Sequence, residues 1–503
     1  MVLGRAAPLL AGLLAVLAIG LSLWRLEGAR AGLTAMPLPV PGGPPAPGCA
    51  DAGTAPAPVV VVVHGFAGSR QLMESQAVTL ARAGYVVATF DVMGHGRNPA
   101  PMRGDVTRID GTTALMVKEV LAVARAALAH PRADGRLALV GHSMASDIVI
   151  RAALAEPRAG AVVAISMFSQ AVTAEAPRNL LAVAGEWEPG LRAEGLRALR
   201  LADPTAAEGQ TLGDPAAGSG RRAAAAPGVE HVGVLYSATA LAETRGWLDA
   251  AFGRGPGDGW VAVRGSWVLL LLGGVLALAW PLARALPAAP PSAAPPLPPA
   301  AFWGGLAVLV LAVPLVATQV RVQVLPALVA DYLALHLMLW GGAALAFLAW
   351  TGGLRGQFPA RVWPMALAVA AFCILGFGGA LDRHVANFLP QGDRPGIIAA
   401  LVPGAVATLL ADALLTRGGR AGWGRTLALR LGLVLSLVIA SALDFDRLMF
   451  LAIILPVILL YFLIFGTLSG WVGRRTGLPA VAGIGSGLML AWTLGVTFPL
   501  VAG

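Results

Sequence analysis

From about residue 266 to residue 501 the chain is almost unbroken apolar sequence, interrupted only by short polar loops. Its apolar stretches fall at 266–283, 301–318, 330–350, 362–381, 396–416, 426–442, 447–466 and 479–501. Each is long enough to cross a bilayer as a helix, for which roughly 20 residues suffice. A backbone in hydrocarbon must satisfy its own N–H and C=O groups, so a run of such stretches predicts an all-α polytopic membrane domain over 259–503, with about eight transmembrane helices. Composition agrees, because only 13% of the residues are charged where a soluble domain has about 25%.

A further apolar stretch, Pro8–Trp24, lies between Arg5 and Arg25. Residues 1–30 therefore read as a transmembrane anchor or a signal segment. We favour the anchor, since Ala29-Arg30-Ala31 is a poor cleavage sequence. Residues 31–56 are rich in Pro and Gly and read as an extended linker, with a short edge strand near Leu38–Val40. A second Pro-rich linker is expected over Pro287–Pro299.

The formal charge of +9 comes almost wholly from arginine, distributed between the apolar spans. That is a topology signal, and it lacks the basic stripe with interleaved aromatics of a nucleic-acid binder, so no nucleic-acid partner is expected. Arg284, Arg355, Arg361, Arg417, Arg420, Arg425, Arg474 and Arg475 fall on one side. Arg321, Arg383, Arg394 and Arg447 fall on the other, diluted by Asp331, Asp382, Asp393, Asp444 and Asp446. By the positive-inside rule the first side is cytoplasmic. This predicts a multi-pass protein of the bacterial inner membrane, with residues 57–258 on the extracytoplasmic side. His336 and Asp412 are the ionisable residues nearest a bilayer centre, where such groups mark a pathway or act as polar glue. Cys49 and Cys373 are poorly placed to pair, and no His, Cys and carboxylate cluster has metal-ligand spacing. Neither a metal nor an organic cofactor is expected.

Residues 57–258 follow a different pattern. Val59–Val63 is a β-branched run suited to a parallel strand buried on both faces. It leads through His64-Gly65-Phe66 into a helix ending near Arg82. A strand over Tyr85–Phe90 ends at Asp91, and a helix over about Thr112–Ala129 returns the chain to Leu137–Val140. Strands over Ala161–Met167 and Leu180–Ala184 come next, and a helix over Ser237–Phe252 closes the segment. Strands alternating with helices predict an α/β fold with a mostly parallel sheet and helices on both faces.

Within it, Gly141-His142-Ser143-Met144-Ala145 joins a strand to a helix. A serine on such a turn is held in a strained conformation that presents its hydroxyl, and small residues on either side let strand and helix pass close by. The usual G-x-S-x-G ends here in Ala145.

Taken with His64-Gly65-Phe66, Asp91-x-x-Gly94-His95-Gly96, Gly185-Glu186-x-Glu188-Pro189 and Gly228-x-x-His231, this segment resembles an α/β-hydrolase of the lidless dienelactone-hydrolase or serine-aminopeptidase-like kind. The resemblance implies a catalytic order of serine, acid, histidine. Ser143 is then the nucleophile, His231 the base, and Glu188 the acid where the family more often has Asp, with Glu186 as the alternative acid. Backbone N–H groups of Phe66 and Met144 would form the oxyanion hole, each worth about 2.7–4 kcal/mol of barrier. His64, His95 and His142 read as residues that shape the surrounding loops, and Asp147 as a charge favourable to its helix dipole.

The expectation is a membrane-anchored serine esterase acting through an acyl-enzyme (class EC 3.1.1). Its partners would be a small-molecule or lipid-like acyl ester and the membrane lipid itself, with the oligomeric state left open. An acyltransferase using the same triad is the alternative enzyme. A transport or assembly protein with an inactive hydrolase domain is the alternative of another class. Only Phe168–Arg178 joins the two strands between which many relatives insert a lid. The site should therefore be open unless residues 189–228 or outer loops of the membrane domain, such as 382–384 and 391–394, border it.

Overall fold

The computed structural model describes residues 2–43, 48–105, 108–255, 257–291 and 297–502. The first helix, α1 (Val2–Gly28), is followed by β1 (Thr34–Pro37), β2 (Gly48–Asp51), β3 (Ala57–Val63), α2 (Glu74–Arg82) and β4 (Val86–Thr89). Next come α3 (Ala114–Leu128), β5 (Ala133–His142), α4 (Met144–Ala155), β6 (Ala159–Ile165), β7 (Leu180–Gly185), α5 (Pro189–Arg200), β8 (Thr211–Leu212), β9 (Arg221–Ala226) and α6 (Ala238–Ala251). They form one sheet in the order β1-β2-β4-β3-β5-β6-β7-β9-β8. The six strands from β4 to β9 in that order run parallel, while β1, β2 and β8 add antiparallel edges.

The two-residue period of a strand divides the β3 valines between two cores. Val59, Val61 and Val63 pack with Met116 and Val120 of α3 and Ile148 of α4. Val60 and Val62 pack with Leu80 of α2 and Leu248 of α6 on the opposite face. All seven β3 residues are buried, as a strand covered on both faces requires.

The segment expected as a linker contributes to this sheet. Thr34–Pro37 pairs with Gly48–Asp51, which pairs with β4, so the edge strand lies before Leu38–Val40 and ends at a proline, which cannot donate to a ladder. Residues 189–228, which show no strand pattern in the sequence, hold α5, β8 and β9. The β9 sequence Arg-Arg-Ala-Ala-Ala-Ala has no β-branched residue. It is a strand because its whole length pairs with β7.

The rest of the chain is helical: α7 (Gly265–Ala285), α8 (Pro299–Ala317), α9 (Ala330–Trp350), α10 (Val362–Ala371) running on into α11 (Gly378–His384), α12 (Arg394–Leu415), α13 (Trp423–Leu443), a short α14 (Phe445–Leu448), α15 (Leu451–Thr476) and α16 (Pro479–Thr497). Among the described residues, nine helical segments are long and apolar enough to cross a membrane, α1 included. Helix α1 lies along α7, with Ala15 and Ile19 against Gly274 and Gly12 against Pro281. Part of the expected Pro287–Pro299 linker, residues 292–296, falls outside the described residues.

The two ionisable residues singled out in the apolar stretches, His336 and Asp412, do not meet each other. Asp412 accepts two hydrogen bonds from Arg430. His336 sits between the hydroxyls of Tyr332 and Ser436, at 3.0 and 3.1 Å.

The helical bundle meets the C-terminal edge of the parallel strands, where loops converge. Arg394 is 1% exposed and donates to the carbonyls of Phe498 (2.7 Å), Gly94 (3.2 Å) and Gly495 (3.3 Å). Main-chain bonds join Leu500 to Gly94 and Met102, and Ala502 to Met102. Arg97 binds Asp382 and Asn387, and Arg264 binds Glu74 and the Leu26 carbonyl.

Replacing Arg394 by Met keeps the apolar stem but strands the Phe498 and Gly495 carbonyls and leaves Gly94 O with only its bond from Leu500 N–H. Arg394→Met should cost about 3 kcal/mol, read as a lower thermal unfolding midpoint in detergent. Arg321→Met, at a side chain 79% exposed, should leave the midpoint unchanged.

Candidate active site

Ser143 stands at the junction of β5 and α4 with φ 55° and ψ −121°, a strained conformation for a residue with a side chain. Two glycines make room for it. A Cβ on Gly141 would lie 2.4 Å from the Ala145 carbonyl oxygen, and one on Gly65 would lie 3.0 Å from the Ser143 Cβ. Further tension is taken up by hydrogen bonds, since the Ser143 N–H donates to Ile165 O and its carbonyl accepts from Ser146 N–H.

Three side chains distant in sequence converge here. His231 Nε2 lies 2.9 Å from Ser143 Oγ, and its Nδ1 lies 2.6 Å from Glu188 Oε1. A carboxylate can only accept, so Nδ1 carries the proton and Nε2 presents its lone pair to the serine hydroxyl. The other carboxylate oxygen, Oε2, accepts from Gly185 N–H (2.6 Å) and Ser166 Oγ (2.8 Å). Burial alone would raise the Glu188 pKa, but the bonds from His231, Gly185 and Ser166 prevail and hold it below the usual carboxylate range. Glu186 is exposed and accepts instead from Gly228 N–H.

Of the sequence-derived residues, the structure therefore brings Ser143, His231 and Glu188 together and leaves Glu186 outside. Phe66 and Met144 flank the serine. Among the described residues, neither N–H donates to a protein acceptor. Two unpaired donors beside a nucleophilic oxygen are what a developing oxyanion needs.

The remaining histidines are fixed by main-chain bonds. His142 Nε2 donates to His231 O, which ties the base's loop to the nucleophile's turn. His64 Nδ1 donates to Gly65 O while its Nε2 accepts from Val92 N–H. His95 Nδ1 donates to Met93 O. Burial lowers the pKa of all three, to about 4 for His142 and about 3 for His95, so each is a neutral loop strut near pH 7. Asp147 binds Arg151 and Ser169 rather than the triad.

A strained serine after the central strand β5, an acid after β7 and a histidine after β9, on a mostly parallel sheet wrapped by helices, decide the fold. The domain is an α/β-hydrolase fold. Residues 54–215 match the model of the family described as serine aminopeptidase, S33. The protein TT1662 from Thermus thermophilus is 19% identical over 43% of this chain and 99% of its own, with a TM-score of 0.31. A dienelactone hydrolase from Anabaena variabilis is 17% identical over 40% of this chain and 88% of its own, with a TM-score of 0.30. Epoxide hydrolase I of potato (Solanum tuberosum) is 21% identical over 27% and 41%, with a TM-score of 0.22. None of the curated proteins matches significantly.

The sequence reading assigned no role to several residues of the hydrolase-fold site. Ser166 has φ 51°, and its position at the end of β6 was the only available signal. Asp91 accepts the N–H groups of Arg70 and Arg97, and Glu119 accepts from Met93 N–H and Asn98. These bonds hold the loops on either side of His95. Phe450, from the turn between α13 and α15, stacks on Phe66 with ring centroids 5.0 Å apart. The outer loops 382–384 and 391–394 reach Gln71, Arg97 and Gly94 rather than the serine itself.

The depressed Glu188 pKa gives a pH test. Its contribution to stability is present above the unfolded carboxyl value, about 4.3, and is lost as pH falls through the lower folded value. The stability deficit of Glu188→Gln should be constant at neutral pH and shrink below about pH 4, measured by unfolding across the range. Ser166→Ala should lower kcat/KM about tenfold, because Glu188 loses one buried donor.

Proposed function

We propose that the chain is an integral membrane serine hydrolase that cleaves carboxylic esters through an acyl-enzyme. The observation that carries this reading is the unbroken relay from Ser143 Oγ through His231 to Glu188, at 2.9 and 2.6 Å.

His231 Nε2 takes the hydroxyl proton as Ser143 Oγ attacks the ester carbonyl. Glu188, ionised and fixed by two further donors, stabilises the imidazolium that forms. The oxyanion is held by the Phe66 and Met144 N–H groups. Collapse of the tetrahedral intermediate breaks the bond to the alkoxide, which leaves with the proton from His231. Water, deprotonated by the same nitrogen, then attacks the acyl-enzyme, and Ser143 leaves as the free hydroxyl. A hydroxyl-bearing acceptor in place of water would make the same site an acyltransferase.

The charge distribution of the loops supports an inner-membrane location with the hydrolase domain outside. Loops on the α/β side carry Asp382, Asp393, Asp444 and Asp446, while those at the opposite end carry Arg417, Arg420, Arg474 and Arg475 and no acid. The packing of α1 along α7 supports a retained anchor.

A fluorophosphonate probe should label the purified protein at Ser143, and Ser143→Ala should abolish both labelling and ester turnover. His231→Ala should lower kcat by about 10⁴ or more. Product analysis with an added alcohol separates the two chemistries: an ester product identifies transfer, and free acid alone identifies hydrolysis.

A further inference from the structure

We infer, resting on the serine-hydrolase reading above, that the substrate is a fatty-acyl ester of a lipid in the leaflet next to the hydrolase domain, and that the Asp444–Phe450 turn of the membrane domain guides its chain to Ser143. Three independent observations lead there.

The first is where the hydrolase domain exposes large apolar side chains. Between residues 57 and 258 the two most exposed are Trp187 (65%) and Phe168 (62%). Trp187 immediately precedes Glu188. The Phe168 amide is held by Ser146 Oγ, one turn into the helix that begins after Ser143. Val232, also exposed, immediately follows His231. A rim of exposed aromatic and aliphatic groups around a hydrolytic centre marks a surface that meets another apolar body.

The second is the direction in which the site faces. The loops beside the serine dock on the helical bundle through Arg394, Arg97 and Arg264, so the catalytic edge faces the bundle's end. The Phe66 ring, beside one of the two oxyanion donors, lies flat against Phe450.

The third is the level of that contact. Phe450 belongs to a turn between two spans whose neighbours Leu443, Phe445 and Met449 are all exposed. At the same end of the bundle Trp24 is exposed, and Arg25 lies over the rings of Trp24 and Trp267. Trp350 and Trp423 are exposed at the far end. Aromatic and basic groups in two such belts sit at the membrane–water interfaces. Phe445, Met449 and Phe450 thus place apolar side chains along the turn that leads from the leaflet surface to the oxyanion loop. Each methylene kept out of water along that turn favours binding about fourfold, an advantage that a short soluble ester cannot use.

The test uses the full-length protein in nanodiscs of phosphatidylglycerol and phosphatidylethanolamine. Turnover of 4-nitrophenyl palmitate in the disc is compared with that of 4-nitrophenyl butyrate in water, alongside fluorophosphonate labelling of Ser143. The variant Phe445→Asp/Met449→Asp changes two exposed side chains remote from the reacting atoms, and Phe168→Asp probes the opposite rim. The expected result is an approximately tenfold loss of palmitate turnover in each variant, with butyrate turnover within about twofold and labelling intact. Wild-type protein that prefers butyrate, or variants that lose both activities equally while labelling persists, would overturn the lipid inference and leave the serine hydrolase standing. Absence of both labelling and turnover in the wild type would end the parent reading and this inference together.

Discussion

A guanidinium that donates to three backbone carbonyls, Arg394, ties the helical bundle to the hydrolase-fold domain, with two acceptors at the end of α16 and one, Gly94 O, across the junction. Its stem belongs to a span of the bundle, and one of its acceptors, Gly94 O, belongs to the loop that carries His95. The His95 ring meets the Phe66 ring edge-on, and Phe66 is the residue whose N–H we propose as an oxyanion donor. The geometry of the hydrolase-fold site is therefore continuous with that of the apolar helices. Part of the bracing of these loops comes from the apolar helical bundle.

The parts of the fold that were legible in sequence are those set by local pattern. Val59–Val63 can only be a doubly buried strand, and the nucleophile turn needs small residues at Gly141 and Ala145 whatever surrounds them. The apolar spans were legible because length and hydrophobicity alone decide them. Strand β9 was not, because nothing in a run of alanines distinguishes a strand from a helix, and its pairing with β7 makes the choice. The edge strands β1 and β2 were hidden in the same way, inside a segment whose prolines suggested a linker.

The site divides along the same line. Ser143 and His231 sit in recognisable motifs, and Glu188 was readable because the acid must follow β7, with Glu186 the only close competitor. What selects Glu188 is three-dimensional: it is the carboxylate that Gly185 N–H, Ser166 and His231 all approach. Phe450 lies more than 300 residues beyond Ser143, in a turn with no motif, so its contact with Phe66 follows from packing alone. The polar pairs inside the bundle show the same dependence on partners. Asp412 is tolerated because Arg430 bonds both its oxygens, and His336 because two hydroxyls meet its two nitrogens.

The main-chain ladder between the C-terminal residues and the hydrolase domain has a consequence for biogenesis. Leu500 and Ala502 are synthesised after α16, yet they supply bonds to Gly94 and Met102, in a loop translated some 400 residues earlier. Until the final helix is threaded, that loop has open donors and acceptors and Arg394 lacks two of its three carbonyls. The order of synthesis thus couples completion of the hydrolase-fold site to formation of the helical bundle, so a nascent chain stalled before α16 would leave that site unfinished.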